Sequence, residues 1–288
     1  MQLDDGPRRH VCQQDVLQRE DSAALLRCDG DARNPAWCIS SRWQFCRLRL
    51  HWVVMSEHTV RAYDEELEEL RSLINSMGAV VLEQVDAAGD ALQQPDSDLA
   101  EQAIQKDLTV DSLFREIEEK AIRMIAKRQP VAGDLRAIMA SVKIAADLER
   151  IGDLAKNTAK RSVAMADRNT RLAGVVIPIG ALARDAVRSV LDAFRHSDSA
   201  AALAVWTCDE ELDELYNAVF RELLTYMLEN PRMIGTCTHL LFASKNMERI
   251  GDHATNIAEN ICYLVDGKAP SGPRPKKDTT ASQPEAII

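Results

Sequence analysis

The stretch Glu149-Arg150-Ile151-Gly152-Asp153 occurs a second time, unchanged, as Glu248-Arg249-Ile250-Gly251-Asp252, 99 residues further along the chain. Other ordered matches precede it at offsets of 101 or 102 residues: Gly78 with Gly180, Asp107 with Asp209, Asp111 with Asp213, and Pro130 with Pro231. Self-similarity at a fixed period is the sequence signature of a repeated structural unit. The chain is therefore predicted to contain two copies of one unit.

Each copy carries the pattern of three helices. Helical spacing of apolar residues predicts helices at about 58–93, 97–128 and 131–166, and again at about 174–195, 198–229 and 232–266. Pro130 and Pro231 separate the second helix of each copy from the third, because proline cannot continue a helix. Short connections favour antiparallel neighbours. The predicted fold is all-α, with two tandem three-helix bundles related by an internal repeat of about 100 residues.

The segment before Met55 differs in composition from the rest of the chain. It holds four of the seven cysteines, three of the four tryptophans, eight arginines and no lysine. Two interpretations are open: translation starts at Met55 and residues 1–54 are not native, or they form a poorly ordered extension. The two repeats are then assigned to 55–170 and 171–268. Residues 269–288, rich in Pro, Lys, Ser and Thr, are predicted to be a disordered tail.

Charge and hydropathy narrow the functional classes. The formal net charge is −10, which disfavours non-specific binding to nucleic acid. No apolar run reaches the roughly 20 residues that cross a bilayer, and the acidic N-terminus is unlike a signal peptide. The sequence therefore predicts a cytoplasmic protein.

The repeated stretch places acids on one face of the third helix. Glu149, Asp153 and Asn157 are spaced i, i+4, i+8, as are Glu248, Asp252 and Asn256 in the second copy. Taken alone, such a pair of acids is more typical of a solvated helix face.

The second helix of each repeat brings two further acids to the same level. Asp107 lies 23 residues before Pro130 and Asp153 lies 23 residues after it, so an antiparallel hairpin sets them at equal height. Asp111 and Glu149 match in the same way, and Asp209 and Asp213 repeat the arrangement in the second copy. Oxygen ligands suit Mg²⁺, Mn²⁺, Ca²⁺ or iron. A metal site and a solvated acidic face both remain open at this point.

Other chemistry is scarce. No histidine follows a glutamate by three residues, as a ferritin-like oxidase would require, and the common phosphate-loop, dinucleotide and hydrolase motifs are absent from the sequence. Lys127 and Arg128 end the second helix just before Pro130. Basic residues there either complement the helix dipole or contact an anion.

Several stretches together resemble the PhoU family. They are Ala126-Lys127-Arg128-Gln129-Pro130, Asp134-Leu135-Arg136, Leu148 to Asp153, and Met247 to Asp252. The resemblance covers about residues 58–266. It implies a non-enzymatic negative regulator of phosphate uptake and of the phosphate-starvation response. Such a protein acts between the Pst phosphate transporter and a PhoR-type histidine kinase, often as a homodimer, and it meets the membrane only through these protein partners.

The resemblance also implies metal clusters on the E/D-x-x-x-D motifs. The implied ligands are Asp107, Asp111, Glu149, Asp153, Asp209, Asp213, Glu248 and Asp252. They would hold a divalent or ferric cation (Mg, Mn, Fe or Zn), with Asn157 and Asn256 as outer hydrogen-bonding partners. Arg128 and Arg136 are the candidate contacts to a partner or an anion. Arg128 has no basic counterpart in the second repeat, where Glu229 precedes Asn230 and Pro231.

Two other functional classes stay open from the sequence. One is a carboxylate-bridged metalloenzyme, although no His or Cys suited to general base catalysis is near the acids. The other is a helical scaffold without metal.

Overall fold

A computed structural model describes residues 38–93, 97–165, 170–207 and 209–272, with side chains in the first helix described from Tyr63 onward. The chain divides into two compact units, Met1–His58 and Thr59–Ile288. Residues 38–58 of the first unit are helical; the rest of that unit, and residues 273–288 of the predicted tail, lie outside the described residues. The predictions for 1–54 and for the tail therefore stay predictions.

Seven α-helices are described. They are α1 (Cys38–Gln93), α2 (Ser97–Arg128), α3 (Ala132–Met165), α4 (Ile177–His196), α5 (Ser199–Thr207), α6 (Asp209–Glu229) and α7 (Ile234–Asp266). Short 3₁₀ turns, Thr170–Val175 and Pro231–Met233, precede α4 and α7. The described ranges contain no strand. The predicted all-α fold of two tandem bundles related by an internal repeat is confirmed.

The helix ends agree with the predicted ones to within about three residues, with two exceptions. The single helix predicted over 198–229 is wrong, because two helices, α5 and α6, are found there. The other exception is the start of α1. This helix begins at Cys38, twenty residues before the expected start. Residues 38–57 contain neither Gly nor Pro, so nothing in their local composition stops a helix. The missing apolar periodicity was therefore a poor guide to conformation there.

The two proline corners are built differently. In the first repeat, Gln129 takes a left-handed conformation (φ 48°) that ends α2 before Pro130. In the second, Asn230 is extended and its side-chain oxygen accepts a hydrogen bond from the Arg232 backbone N–H. An Asn cap of this kind satisfies a backbone donor that the first turn leaves unpaired.

The third helices of the two repeats, α3 and α7, pack against each other in antiparallel orientation. Arg136, near the start of α3, lies over the ring of Tyr263 near the end of α7, and Arg161, near the end of α3, lies 4.4 Å from the ring centre of Phe242. The repeated Glu-Arg-Ile-Gly-Asp stretches are thus at the middle of this helix pair. Ile151 and Ile250 are fully buried, as the apolar periodicity predicts.

None of the helices in the described ranges combines the length and the apolar character that a bilayer span needs.

Candidate functional site

The predicted acids lie along the contact of each third helix with the second helix of its own bundle. Asp107, Asp213 and Glu248 are buried, at 8%, 1% and 2% exposure. Asp111, Glu149, Asp153 and Asp252 are partly buried. Asp209 begins α6, but its side chain lies outside the described part of the chain. A solvated acidic face would leave its carboxylates exposed, so burial argues against that interpretation for three of them.

In the first repeat a lysine joins two of the acids. Lys156 Nζ donates to Asp107 Oδ2 at 2.7 Å on α2 and to Asp153 Oδ1 at 2.5 Å on α3. Burial alone would lower the pKa of Lys156, but the two hydrogen bonds to carboxylates outweigh it and raise this pKa to about 12. The Lys156 ammonium is therefore a positive counter-charge that the carboxylates of Asp107 and Asp153 already have within the fold.

Glu149 shares the same neighbourhood. Burial raises its pKa, and the nearby carboxylates of Asp153, Asp111 and Asp107 raise it further, against the opposing effect of Arg150. The other three acids that the hairpin geometry placed at the level of Glu149 are thus close enough to raise its pKa.

The second repeat neutralises its acids from another position. Lys245 Nζ lies 2.9 Å from Glu248 Oε2 within α7. Burial raises the pKa of Glu248 to about 6; Lys245 opposes the rise, while Asp252 and Asp213 add to it. A buried carboxyl with such a pKa is partly protonated near neutral pH.

The repeat relation explains why the two lysines differ in place. Thr255 occupies in α7 the position of Lys156 in α3, and Ala146 occupies in α3 the position of Lys245 in α7. Each bundle thus has one lysine close to its acids, on opposite sides of the repeated stretch.

The acids offer the right donors for a hard cation, but they do not surround one. Their chemistry is all oxygen, as Mg²⁺ or Mn²⁺ prefers. In the ranges for which side chains are described, no three His, Cys, Asp or Glu side chains lie close enough to hold a metal ion together. A cation in the first bundle would have to displace the Lys156 ammonium from Asp107 and Asp153.

The two asparagines predicted as outer partners differ. Asn157 is exposed on α3. Asn256 donates from its amide to Asp147 Oδ1 at 3.4 Å, across the α3–α7 contact. His253 Nδ1 lies 2.9 Å from the same oxygen. Asn256 therefore bonds to an acid outside the predicted ligand set.

The arginines singled out by the sequence have neighbours within the fold. Arg128 makes a two-point ion pair with Glu66 of α1, at 3.1 and 3.2 Å, and this bonding lowers the pKa of Glu66. Arg136 lies over the Tyr263 ring. Their roles as partner or anion contacts stay predictions.

Sequence reasoning missed Lys156, Lys245 and the Asp147–His253 pair. The lysines had a readable signal, because Lys156 lies three residues after Asp153 and Lys245 three before Glu248, and that spacing puts the side chains on one helix face. Asp147 and His253 are 106 residues apart and gave no local signal.

Comparison with known proteins places this chain in a family. The PhoU domain model matches residues 74–162 and 176–261. The chain is 49% identical over 227 residues to a phosphate-specific transport system accessory protein PhoU homolog of Rhizobium meliloti, and 48% identical over 226 residues to one of Caulobacter vibrioides. Each match spans 78% of this chain, and 96% and 98% of those proteins.

Solved structures agree with this. The crystal structure of PhoU from Pseudomonas aeruginosa superposes with a TM-score of 0.70 at 41% identity, over 72% of this chain and all of that one. The phosphate transport system regulatory protein PhoU from Streptococcus pneumoniae gives 0.67 at 28% identity, over 73% of this chain and all of that one. With both repeats matched and relatives covered nearly end to end, this chain belongs to the PhoU family.

Proposed function

We propose that the protein is a cytoplasmic, non-enzymatic regulator of phosphate uptake. In this role it restrains the phosphate-starvation response as an adaptor between a Pst phosphate transporter and a PhoR-type histidine kinase, and it acts as a homodimer. The observation that carries the proposal is the 48–49% identity to accessory proteins of phosphate-specific transport over almost their whole length.

Exposed apolar residues at both proline corners support an adaptor role. Val131 is 75% exposed beside the first corner and Leu228 is 85% exposed beside the second. Leu135 and Met139 continue from Val131 at helical spacing on α3, with 39% and 43% exposure. Apolar side chains grouped on a surface are typical of protein-binding sites.

The test uses a host strain that lacks its own PhoU and carries a reporter of the phosphate-starvation response. The wild-type protein should restore repression in phosphate-rich medium. Val131→Asp with Leu228→Asp should fail to restore it while keeping the helical circular dichroism and the thermal midpoint. Ala218→Asp, at an exposed position of α6 away from both corners, is the matched control and should repress as wild type does.

Two results would count against this proposal. A wild-type protein that folds in the host but leaves the reporter fully active contradicts the regulatory role. Full repression by the double Asp variant contradicts docking through the proline corners.

We also propose, as a second function, that the acid sets bind a divalent or ferric cation. The proposal is supported by the concentration of carboxylates around Glu149 and Glu248, each with a pKa raised by burial and by neighbouring acids. A cation would relieve that repulsion and supply fixed positive charge between the second and third helices. The candidate ligands are the eight acids predicted from the sequence, and those with described side chains would have to move closer together to hold an ion.

The metal proposal has a test that exploits Lys156. Mn²⁺ is titrated into chelator-treated protein and bound metal is counted. If the ammonium competes with the cation, Lys156→Met should tighten Mn²⁺ binding. Neutralising Asp107, Asp111, Glu149 and Asp153 together, as Asn or Gln, should remove the ions bound by the first bundle. Unchanged stoichiometry in the fourfold variant would end the metal proposal for that repeat.

A further inference from the structure

The second bundle contains a cavity of about 450 Å³ among helices α4, α5, α6 and α7. Its wall is mainly aliphatic: Leu182, Ala186, Ala201, Ala204, Val205 and Leu212. Two acids, Asp185 and Glu211, also line it, and both are exposed, so they lie at its open side. This volume is in the range of pockets that hold small ligands.

In the first repeat the equivalent space is filled by the chain's own side chains. Gln84 occupies the position of Ala186 and is fully buried. Its amide donates to the Ala103 carbonyl at 2.8 Å, and its side-chain oxygen lies 3.0 Å from where a Cβ on Gly152 would be. Gln84 thus bridges α1, α2 and α3, whereas Ala186 stops short of its neighbours.

A second exchange removes a cation from the same place. Lys156, whose ammonium lies between two carboxylates in the first repeat, is replaced by Thr255, which lines the cavity. The Thr255 hydroxyl donates to the Gly251 carbonyl within α7 at 3.0 Å. The second repeat therefore lacks both the amide side chain of Gln84 and the ammonium group of Lys156.

We propose that this cavity binds an organic cation with a small aliphatic body, an alkyl amine in its ammonium form. The aliphatic part would take the volume that Gln84 fills in the first repeat. The ammonium would lie at the open side near Glu211 and Asp185. Asp185 also pairs with Arg188 at 3.4 Å and with Arg184 at 3.6 Å, so Glu211 is the main partner of the ammonium. The Glu211 carboxylate thus favours a cation over a neutral or anionic ligand of the same shape.

Selectivity gives the first measurement. n-Hexylammonium, 1-hexanol and hexanoate are titrated into the full chain and followed by ligand-observed NMR. The cation should bind most tightly and hexanoate least. Shortening the amine from hexyl to pentyl should weaken binding about fourfold, the effect of one buried methylene. Wild-type protein that shows no saturable hexylammonium binding, or that prefers hexanoate, overturns the proposal.

The deciding variant copies the first repeat into the second. Ala186→Gln should fill the cavity and weaken hexylammonium binding at least tenfold. Ala126→Gln makes the same change at an exposed position of α2 and should bind as wild type does. If Ala186→Gln binds hexylammonium like the control, the cavity is not the site and the proposal is wrong.

If Ala186→Gln does not fold, a second variant tests the same proposal. Asp185→Asn with Glu211→Gln removes both carboxylate charges from the open side and leaves the aliphatic part of the wall unchanged. Exposed ion pairs are weak, so hexylammonium affinity should fall roughly three- to tenfold, while 1-hexanol affinity stays the same. Equal binding of the cation by this variant and by wild type contradicts the charge complementarity. All of these titrations use isolated protein, so their outcome does not depend on regulation of phosphate uptake.

Discussion

The two repeats carry the same Glu-Arg-Ile-Gly-Asp stretch in different surroundings. In the first, Lys156 bridges Asp107 and Asp153, and Gln84 fills the space between helices. In the second, the lysine is displaced to Lys245, Glu248 is buried with a pKa near 6, and a cavity of about 450 Å³ remains beside the stretch. A repeated motif therefore fixes the position of the acids, while residues outside the motif decide their charge.

The difference is informative because the backbone framework is shared. Two copies of one fold in one chain act as controls for each other. A substitution in one repeat and its counterpart in the other therefore separate the effect of the motif from the effect of its neighbours.

The largest effect should come from the part of the motif that the repeats share. Ile151 and Ile250 are each fully buried. Truncation of either to Ala should lower the free energy of unfolding by roughly 2–5 kcal/mol, with similar losses at the two sites. Urea denaturation measures both. A loss below about 0.5 kcal/mol at either site is the range of ordinary surface changes. It would show that the middle of α3 and the middle of α7 do not contribute equally to the hydrophobic core.

The shared framework is the part that the sequence predicted well. Apolar periodicity and the two prolines are local signals, and the five-residue stretch recurs at an offset of 99 residues. Most helix ends and the burial of Ile151 followed from these signals. Equal height in a hairpin also brought Asp107, Asp111, Glu149 and Asp153 together. The charge state of the acids did not follow, because it depends on burial and on which lysine reaches them. Asp147 and His253 meet only through the packing of the two repeats.

Lys156 should give the next largest effect, and here the repeats should differ. Lys156→Met leaves Asp107 mostly buried without its ammonium partner, which should lower the free energy of unfolding at pH 7 by roughly 1–3 kcal/mol. Lys245→Met should cost less, because Glu248, whose pKa is already about 6, can take up a proton instead. Thermal and urea midpoints of the two variants measure the difference.

Alkaline titration checks the origin of that loss. Since the pKa of Lys156 is raised in the folded state, from 10.5 to about 12, its contribution is complete below about pH 10.5 and is lost as the pH rises through about 12. The stability gap between wild type and Lys156→Met should narrow over that window. A gap that stays constant would mean that packing of the lysine stem, not its charge, stabilises the first bundle.

Glu248→Gln should change the free energy of unfolding by less than Lys156→Met does, and in the opposite direction: at neutral pH this variant should be more stable relative to wild type than it is in acid. Its folded-state pKa is raised from 4.5 to about 6, so ionisation destabilises the fold. The stability contribution is complete below about pH 4.5 and is lost as the pH rises through about 6. Between pH 4.5 and 7, wild type should therefore lose roughly 1–2 kcal/mol relative to Glu248→Gln.

The matched control is Glu149→Gln in the first repeat. The pKa of Glu149 is also raised, by burial and neighbouring acids, but its side chain is 26% exposed against 3% for Glu248. The difference in free energy of unfolding between Glu149→Gln and wild type should change with pH in the same direction as it does for Glu248→Gln, but by a smaller amount. Equal amplitudes for the two variants would mean that burial does not set the size of the effect.

The smallest effect should come from the two glycines. Alanine in a helix interior is favoured over glycine by roughly 0.5–1 kcal/mol, so the outcome depends on what the new methyl group meets. At Gly152 it meets the Gln84 side-chain oxygen at 3.0 Å, and Gln84 is fully buried and held by its hydrogen bond to Ala103. Gly152→Ala should therefore destabilise the protein by about 1 kcal/mol.

At Gly251 the new methyl group meets Leu212 Cδ2 at 2.8 Å, but Leu212 borders the cavity and can rotate into it. Gly251→Ala should leave the free energy of unfolding within about 0.5 kcal/mol of wild type, and the displaced Leu212 should weaken hexylammonium binding. Urea denaturation of the two variants measures this difference. If Gly251→Ala is more destabilising than Gly152→Ala, the second bundle has no space for Leu212 to enter. The proposed contrast between a filled first repeat and an open second repeat would then be wrong.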